Sequence, residues 1–226
     1  MAPRDFSSRM SRVQTAAVLA WLPIHGLGLP ALLTRLFPQL GGAAVSLWVY
    51  LIGLGLLLPL CFSFLRRDFD RLCDRPLEVL LQLLIGYGLL LLLAWVADGL
   101  LELLSAWLPA GNPNQAALSQ LASQDRGKIL AISLFLAPLA EELMFRGGIY
   151  GLLRRRSRAL AYAGCILLFS VYHVWQYALS EPGNWLYLLQ YLPSSFVLCR
   201  CYEKTETIWA PLLFHVLNNA LALLMM

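Results

Sequence analysis

The stretch Pro138-Leu-Ala-Glu-Glu-Leu-Met-Phe-Arg-Gly-Gly-Ile-Tyr-Gly151 carries three charged side chains inside an otherwise apolar run. They are Glu141, Glu142 and Arg146. Charged groups within a membrane-length apolar segment are costly, and they usually face a protein-lined or water-filled interior. We therefore treat this stretch as a candidate functional site and expect its partners elsewhere in the chain.

The composition of the whole chain predicts a polytopic membrane protein in contact with the lipid bilayer. Of its 226 residues, 59% are hydrophobic and 13% are charged, and the mean hydropathy is +0.67. Soluble domains are much less apolar. The net charge is +4, but the basic residues flank the apolar runs, as topology determinants do. This distribution implies no nucleic-acid partner.

The lengths of the apolar runs predict an all-α transmembrane helical bundle of about seven spans, with eight possible. The expected helices are residues 14–36, 42–65, 77–107, 128–153, 159–180, 184–202 and 207–226. Residues 111–124 are expected to be a polar loop. We expect a single integral membrane domain over residues 1–226, with a retained first helix because its apolar run is long and lacks a clear cleavage site.

The distribution of basic residues predicts the orientation of the chain. Thirteen of them cluster at the N-terminus and in every second loop: Arg4, Arg9, Arg12, Arg66, Arg67, Arg71, Arg75, Arg154, Arg155, Arg156, Arg158, Arg200 and Lys204. The opposite loops carry only Arg35, Arg126 and Lys128. The positive-inside rule then predicts a basic cytoplasmic N-terminus, residues 1–13, and an extracytoplasmic C-terminus.

Helical spacing separates the charged residues of the opening stretch. Glu142 and Arg146 are four residues apart and share a helical face, so we expect them to form a buried pair. Glu141 is rotated by about 100° from Glu142 and can point elsewhere.

An irregularity is expected in the first helix, where Pro23 and Pro30 flank His25. These prolines predict a kink, and the His25 imidazole is expected to be satisfied by a hydrogen bond.

Two later spans supply polar partners at the same spacing. Phe169 lies one turn before His173 and can pack beside its ring, and His215 lies one turn before Asn219. Counted at about 1.5 Å per residue from the basic ends, Glu141, His173 and His215 lie roughly 20, 21 and 12 Å deep. We expect these groups to meet in one conical cavity that is formed by the C-terminal helices and opens toward the cytoplasm.

Three motifs in this order resemble those of the CPBP family of intramembrane proteases. They are Glu141-Glu142-Leu-Met-Phe-Arg146, Phe169-Ser-Val-Tyr-His173 and His215-Val-Leu-Asn-Asn219. The family includes the type II CAAX prenyl endopeptidases and bacteriocin-processing or immunity (Abi-like) proteins. The resemblance covers about residues 138–224, while the first half of the chain is similar only in its apolar helices.

The resemblance implies an enzyme that hydrolyses a peptide bond of a membrane-embedded or lipidated peptide near the cytoplasmic face. Glu141 would be the general base that activates a water, because a carboxylate can take a proton from water and deliver it to the leaving amine. His173 and His215 would position that water. Asn219 would stabilise the tetrahedral oxyanion. Residues 128–226 would form the catalytic helices.

The remaining motif residues have supporting roles in this interpretation. Glu142 would pair with Arg146, which neutralises the second carboxylate, and Phe169 would pack beside the histidine of its motif. A purely structural buried pair is an alternative for the first two.

A zinc site is the alternative for the catalytic residues, since one glutamate and two histidines are a known ligand set with an open water position. Glu141, His173 and His215 would be the ligands. We favour a site without a cofactor because the chain has no His-Glu-x-x-His pair and the ligands would come from three separate helices.

Two other functions are compatible with intramembrane polar groups. A catalytically silent membrane protein, such as a chaperone or an immunity protein, could bind a peptide in the same cavity. A polar-site transporter would also place Glu and His in mid-membrane, but it predicts inverted halves with broken helices. Prenylated substrates do not follow from the resemblance, because the prenyl-protein members usually have eight spans.

Overall fold

The computed structural model describes residues 6–224, in which eight helices and no strand are present. Arg4 and the last two residues of the final expected helix lie outside this range. The helices are α1 (Arg12–Leu36), α2 (Gly42–Asp74), α3 (Pro76–Leu103), α4 (Pro113–Gln124), α5 (residues 126–154), α6 (Arg158–Ser180), α7 (Leu188–Thr205) and α8 (Trp209–Leu224). Short 3₁₀ segments occur at Ser105–Trp107 and at Pro182–Tyr187. The expected all-α architecture is confirmed.

Four of these helices, α1, α2, α3 and α6, are long and apolar enough to cross a membrane, and α8 is a shorter apolar helix. The length and apolar composition of these helices therefore indicate an integral membrane protein. The helix α4 has 12 residues, about 18 Å at helical rise, and is too short to cross alone. The other seven helices correspond to the seven expected spans.

The expectation of a loop over residues 111–124 is wrong, because these residues contain α4. Its first turn has local support: the side chain of Asn112 accepts a hydrogen bond from the N–H of Asn114, and Pro113 occupies the first helical position, where its missing N–H costs nothing. Leu118 and Leu121 then pack against Ala43 and Ile129. A polar sequence with this apolar contact forms a helix on the surface of the bundle.

Several helix ends also differ from the prediction: α7, expected over residues 184–202, begins at Leu188 after the 3₁₀ segment Pro182–Tyr187 and ends at Thr205. The second helix continues from residue 65 to Asp74, and within this polar extension Asp68 is completely buried by its contacts with Ser8 and Ile208. The third helix ends at Leu103 rather than at residue 107. The length of an apolar run shows where a helix leaves an apolar environment. It does not show whether the same helix continues into a polar part that contacts other segments of the chain.

The basic loops meet at one end of the bundle, as their charge predicted. Arg155 donates to the carbonyl of Met10 over 2.9 Å, Arg71 donates to the carbonyl of Glu206 over 3.0 Å, and Arg154 pairs with Glu203. We call this the basic end. It joins the N-terminal segment and the loops that follow α2, α5 and α7.

Aromatic packing closes the basic end. Phe6 makes edge contacts with Tyr150 and Tyr202, with ring centroids 5.8 and 5.1 Å apart. Met10 lies against Gly147, where a Cβ atom would come within 2.4 Å of the methionine methyl group. The four named side chains are almost completely buried, so the N-terminal segment is part of the hydrophobic core.

Candidate active site

The helix α5 presents the charged stretch and is irregular on both sides of it. Widened π-helical turns at Ile132–Leu136 and Leu143–Tyr150 flank the regular turn Ala137–Glu142. Pro138 has no backbone N–H and therefore interrupts the ladder at the first of these turns. Such turns are frequent at functional sites because they change the direction in which neighbouring side chains project.

Three helices bring Glu141, His173 and His215 together. The Oε2 atom of Glu141 lies 3.8 Å from Nε2 of His173 and 3.7 Å from Nε2 of His215. This oxygen is buried and has no hydrogen-bond partner. The residues that the sequence predicted to converge are thus adjacent in space, and their polar atoms stop just short of direct hydrogen bonds.

The other ring nitrogen of each histidine already has a partner. Nδ1 of His173 is 2.8 Å from the carbonyl oxygen of Phe169, and Nδ1 of His215 is 2.8 Å from Oε1 of Glu142. Both partners only accept hydrogen bonds, so each Nδ1 carries a proton and donates it. In the neutral imidazoles, each Nε2 then presents a lone pair toward Glu141. Three acceptor atoms therefore face one small volume.

Glu142 and Arg146 form the buried pair that their spacing predicted. Their charged atoms lie 3.1 Å apart, and both side chains are fully buried. Arg146 also donates to the carbonyl and hydroxyl oxygens of Ser195, each over 3.3 Å, and its guanidinium lies 4.5 Å from the centre of the Phe169 ring. Glu142 is shared between this pair and His215, so it connects α5 to α8.

Phe169 packs beside His173 as expected, with ring centroids 4.5 Å apart. Tyr191 covers the other side of that imidazole in a stacked arrangement, with centroids 4.6 Å apart and an interplanar angle of 24°. Its hydroxyl accepts hydrogen bonds from the side-chain amides of Asn112 and Asn114. Two aromatic rings and one backbone bond thereby set the orientation of His173.

Asn219 contacts α5 through a backbone group. Its side-chain N–H donates to the carbonyl of Ser133 over 2.9 Å. Pro138 lies five residues after Ser133, and it has no N–H to complete the π-helical pattern at that carbonyl. Asn219 therefore satisfies an orphaned acceptor on α5, while the second hydrogen of its amide nitrogen remains for another partner.

Two tyrosines at the site carry no motif that could have identified them. The ring of Tyr172 packs edge to face against the imidazole of His173, with ring centroids 5.5 Å apart. Tyr172 precedes His173 in sequence, which is a weak signal. Tyr50 belongs to α2 and packs against His25 of α1, with ring centroids 4.7 Å apart, a contact that arises only from packing.

Zinc can be tested against this donor set. Ligand atoms about 2.1 Å from a tetrahedral ion lie roughly 3.4 Å from one another, and Glu141 Oε2 is 3.7 and 3.8 Å from the two Nε2 atoms. In residues 6–224, no three His, Cys, Asp or Glu side chains stand at metal-ligand spacing. The donor types fit zinc, but the Glu141 oxygen and the two histidine nitrogens would have to move a few tenths of an ångström closer together to bind it.

Comparison with known proteins identifies the part of the chain that carries this site. Residues 127–221 match the family described as Rce1-like, type II CAAX prenyl endopeptidase Rce1-like. Neither the search of curated proteins nor the search of solved structures returned a significant match. The matched segment contains all three motifs. This match supports the resemblance of the segment to the CPBP intramembrane proteases.

Proposed function

We propose that this protein is an intramembrane endopeptidase in which Glu141 activates the water that attacks the peptide bond. The family match supports a membrane protease in general. One observation carries the finer proposal: three acceptor atoms of Glu141, His173 and His215 face one small volume, with 3.7 and 3.8 Å between the carboxylate oxygen and the two ring nitrogens. Such an arrangement needs a donor, and a water molecule has two protons to give.

The reaction follows from the placement of that water. Glu141 accepts one of its protons while the water oxygen attacks the carbonyl carbon of the substrate. The C–N bond then breaks, and the protonated Glu141 returns the proton to the leaving amine, so that the carboxylate is regenerated. His173 and His215 hold the water through their Nε2 lone pairs. In this proposal the catalytic unit is residues 128–226.

The supporting residues keep both histidines in the required tautomer. Glu142 accepts the Nδ1 proton of His215, and Arg146 balances the charge of Glu142. Phe169 supplies a carbonyl for His173. For Asn219 we propose that the remaining amide hydrogen stabilises the oxyanion, since the other part of the amide is anchored on α5.

We propose a reaction without a metal cofactor, because Glu141, His173 and His215 can bind and activate a water molecule without one. If zinc is bound instead, Glu141, His173 and His215 would hold it, and its charge would lower the energy of a bound hydroxide. Metal analysis of the purified protein decides between the two. A stoichiometric metal whose removal by a chelator abolishes cleavage would reject the cofactor-free mechanism.

The substrate in this proposal is a membrane-embedded peptide or a lipidated protein that is cut near the cytoplasmic face. We place the protein in a bacterial inner membrane with the basic end in the cytoplasm, because the basic loops meet there. Cys73 tests the orientation, since it is an exposed thiol on the last turns of α2. A membrane-impermeant thiol reagent should label it in opened membranes and leave it unlabelled in intact spheroplasts.

The activity test uses the full chain in detergent with matched sets of prenylated and unmodified peptides. Parent protein, Glu141→Gln and His173→Ala are compared, and Glu78→Gln is the matched control because Glu78 is 45% exposed on α3. We expect cleavage by the parent and the control only. Cleavage that persists in Glu141→Gln would reject the mechanism. Peptide binding without any cleavage by the parent would instead favour a silent peptide-binding or immunity protein.

A further inference from the structure

The imidazole of His173 is covered by a tyrosine that is anchored from outside the matched segment. Tyr191 stacks on the imidazole with ring centroids 4.6 Å apart, and its hydroxyl accepts hydrogen bonds from the side-chain amides of two residues that precede residue 127. Resting on the proposed function, we propose that Tyr191 is a positioning residue for His173 and that Asn112 and Asn114, at the start of α4, hold Tyr191 in place. The proposal gives α4, which is too short to cross the membrane, a role in the site.

The cap of α4 fixes the orientation of the Asn112 amide. Its Oδ1 atom accepts a hydrogen bond from the backbone N–H of Asn114 over 3.0 Å, so its nitrogen is left for other partners. That nitrogen donates to Oε1 of Gln190 over 2.6 Å and to the hydroxyl of Tyr191 over 3.2 Å. The amide nitrogen of Asn114 donates to the same hydroxyl over 3.0 Å. The residues that begin α4 therefore also bind two consecutive residues of α7.

The Tyr191 hydroxyl has no capacity left for a substrate. It accepts the two amide hydrogen bonds, and its own hydrogen is directed to Oδ1 of Asn112 over 3.5 Å. A hydroxyl has one hydrogen and two lone pairs, so all of its hydrogen-bonding capacity is used within the protein. The hydroxyl is thus the anchor of the Tyr191 ring, and the ring is the part that acts on His173.

The segment between α3 and α4 packs closely against the start of α7. Gly183 leaves room for it, since a Cβ atom there would come within 2.7 Å of the carbonyl oxygen of Trp107. The hydroxyl of Tyr187 donates to the carbonyl of Pro109 over 2.8 Å. Asn112, at the end of this segment, is only 6% exposed. The amides that hold Tyr191 therefore belong to a docked segment, which keeps them at a fixed place.

The stack determines where the second nitrogen of His173 points. The Nδ1 bond to the carbonyl of Phe169 fixes one direction, and an imidazole with only this bond could still rotate about it. The Phe169 ring on one side and the Tyr191 ring on the other prevent this rotation. The Nε2 lone pair lies in the plane of the imidazole, so a fixed plane directs it toward Oε2 of Glu141, 3.8 Å away. Loss of the Tyr191 ring would let the lone pair tilt away from the water.

His25 shows a different use of aromatic packing. It lies in the π-helical segment Ile24–Gly28, where the kink was expected. The rings of Tyr50 and Tyr172 lie 4.7 and 6.5 Å from its imidazole, but its buried Nδ1 atom has no hydrogen-bond partner. The expectation of a satisfied imidazole is therefore wrong. His173 differs because its Nδ1 is bonded and its stacking partner is anchored, as a group with a required direction needs.

Tyr191→Phe removes the anchor and keeps the ring. We expect kcat to fall about 10-fold, because small displacements of a reacting group lower the rate steeply, with KM changed less than about twofold because the hydroxyl does not face the substrate. Tyr191→Leu also removes the stack and should lower kcat about 100-fold. Tyr87→Phe is the matched control, since Tyr87 is a partly buried α3 tyrosine that packs against Phe214, and it should keep the parental rate. A parental kcat in Tyr191→Leu overturns the positioning role.

Asn114→Ala removes one amide donor and leaves the cap of α4 intact, because Asn112 accepts from the backbone of residue 114. We expect kcat to fall about 3- to 10-fold, as for the loss of one hydrogen bond. Gln115→Ala, at the next and exposed residue of the same helix, should keep the parental rate. The double variant Tyr191→Phe with Asn114→Ala should be no slower than Tyr191→Phe alone, because both changes remove the same contact. Losses that multiply in the double variant would overturn the action of Asn114 through Tyr191.

A second readout does not need turnover. The chain has three histidines, so isotope-labelled histidine gives three sets of imidazole signals in nuclear magnetic resonance spectra, and those of His173 are assigned by their loss in His173→Ala. A stacked aromatic ring shifts the signals of the imidazole protons, so those of His173 should move in Asn114→Ala and stay in place in Gln115→Ala. Unmoved signals overturn the proposed anchor. Moved signals with a parental kcat overturn the positioning role. If the parent cleaves no peptide and the signals still move, the anchor stands and the proposed function fails by itself.

Discussion

Two buried carboxylates in this protein have opposite surroundings. Asp68, at the basic end, is fully buried, and its oxygens accept hydrogen bonds from the hydroxyl of Ser8 and from the N–H of Ile208, the latter over 3.0 Å. Arg67 and Arg71 lie 3.4 and 3.2 Å from the same carboxylate. We call this group the Asp68 centre. All of its acceptor capacity is used within the protein.

Glu141, in the middle of the bundle, is 6% exposed, and its Oε2 atom has no partner. Its nearest polar neighbours are the two histidine nitrogens, and we call these three residues the Glu141 centre. The comparison shows that burial alone does not distinguish a structural acid from a reactive one. A carboxylate surrounded by donors holds chain segments together, whereas one facing acceptors is left with capacity for a water or a substrate.

The largest expected effect is on catalysis at the Glu141 centre. Glu141→Gln should lower the cleavage rate by about 10²- to 10⁴-fold, the usual contribution of a positioned general base, and should leave the melting temperature within about 2 °C of the parent, since no hydrogen bond of Oε2 is lost. Rate assays and thermal melts in the same detergent measure both. A large loss of stability would show that the Glu141 centre is structural after all.

The second-largest expected effect concerns Glu142 and Arg146, the pair that supports the Glu141 centre. Arg146→Met should destabilise the protein by about 3–5 kcal/mol, because the fully buried Glu142 loses its counter-charge. Equilibrium unfolding in detergent measures the change. The double variant Glu142→Gln with Arg146→Met should be less destabilised than the single one. A double variant that is worse than the single variant would contradict the charge argument.

The Asp68 centre should respond in the opposite way to the Glu141 centre. Asp68→Asn removes acceptor capacity at a site where three chain segments meet, and we expect a loss of about 1–3 kcal/mol in stability with the parental cleavage rate per folded molecule. Asp70→Asn is the matched control, since Asp70 is 61% exposed on the same helix. A fall in the rate of the folded protein would mean that the two centres are coupled.

The smallest effect concerns a third carboxylate, which has donors but is exposed to water. Asp125 accepts from the backbone N–H of Lys128 over 3.0 Å and pairs with its ammonium group, and the hydrogen bonds from Lys128 lower the pKa of Asp125 below its usual value. A lowered pKa in the folded state stabilises the protein above the unfolded pKa of about 3.9. This contribution is lost as the pH falls through the lower folded value.

Thermal melts of the parent and Asp125→Asn test this directly. The parent should be slightly more stable at pH 7, and the difference should begin to shrink below about pH 4 and vanish once the pH has fallen through the lower pKa of the folded state. A difference that is independent of pH would assign the effect to helix capping alone.

Local spacing predicted much of the site. Residues four apart share a helical face, so Glu142 with Arg146 and Phe169 with His173 were expected as neighbours and are observed as such. The three motifs that carried the resemblance all lie within residues 127–221, the segment that matches the Rce1-like family model. The meeting of Glu141 with both histidines was expected only from approximate depths, and the structure places these groups in contact range.

The amino-acid sequence by itself determined the helical class, the grouping of basic loops at one end and the pairs within single helices, because hydropathy, charge and the 3.6-residue period act locally. Tertiary structure alone decided which acid is saturated with donors. It brought Ser8 and Ile208 to Asp68, and it brought both histidines to within 3.8 Å of Glu141. The two contacts of Asp68 join residues 60 and 140 positions apart, and no local pattern encodes a partner that only helix packing brings near.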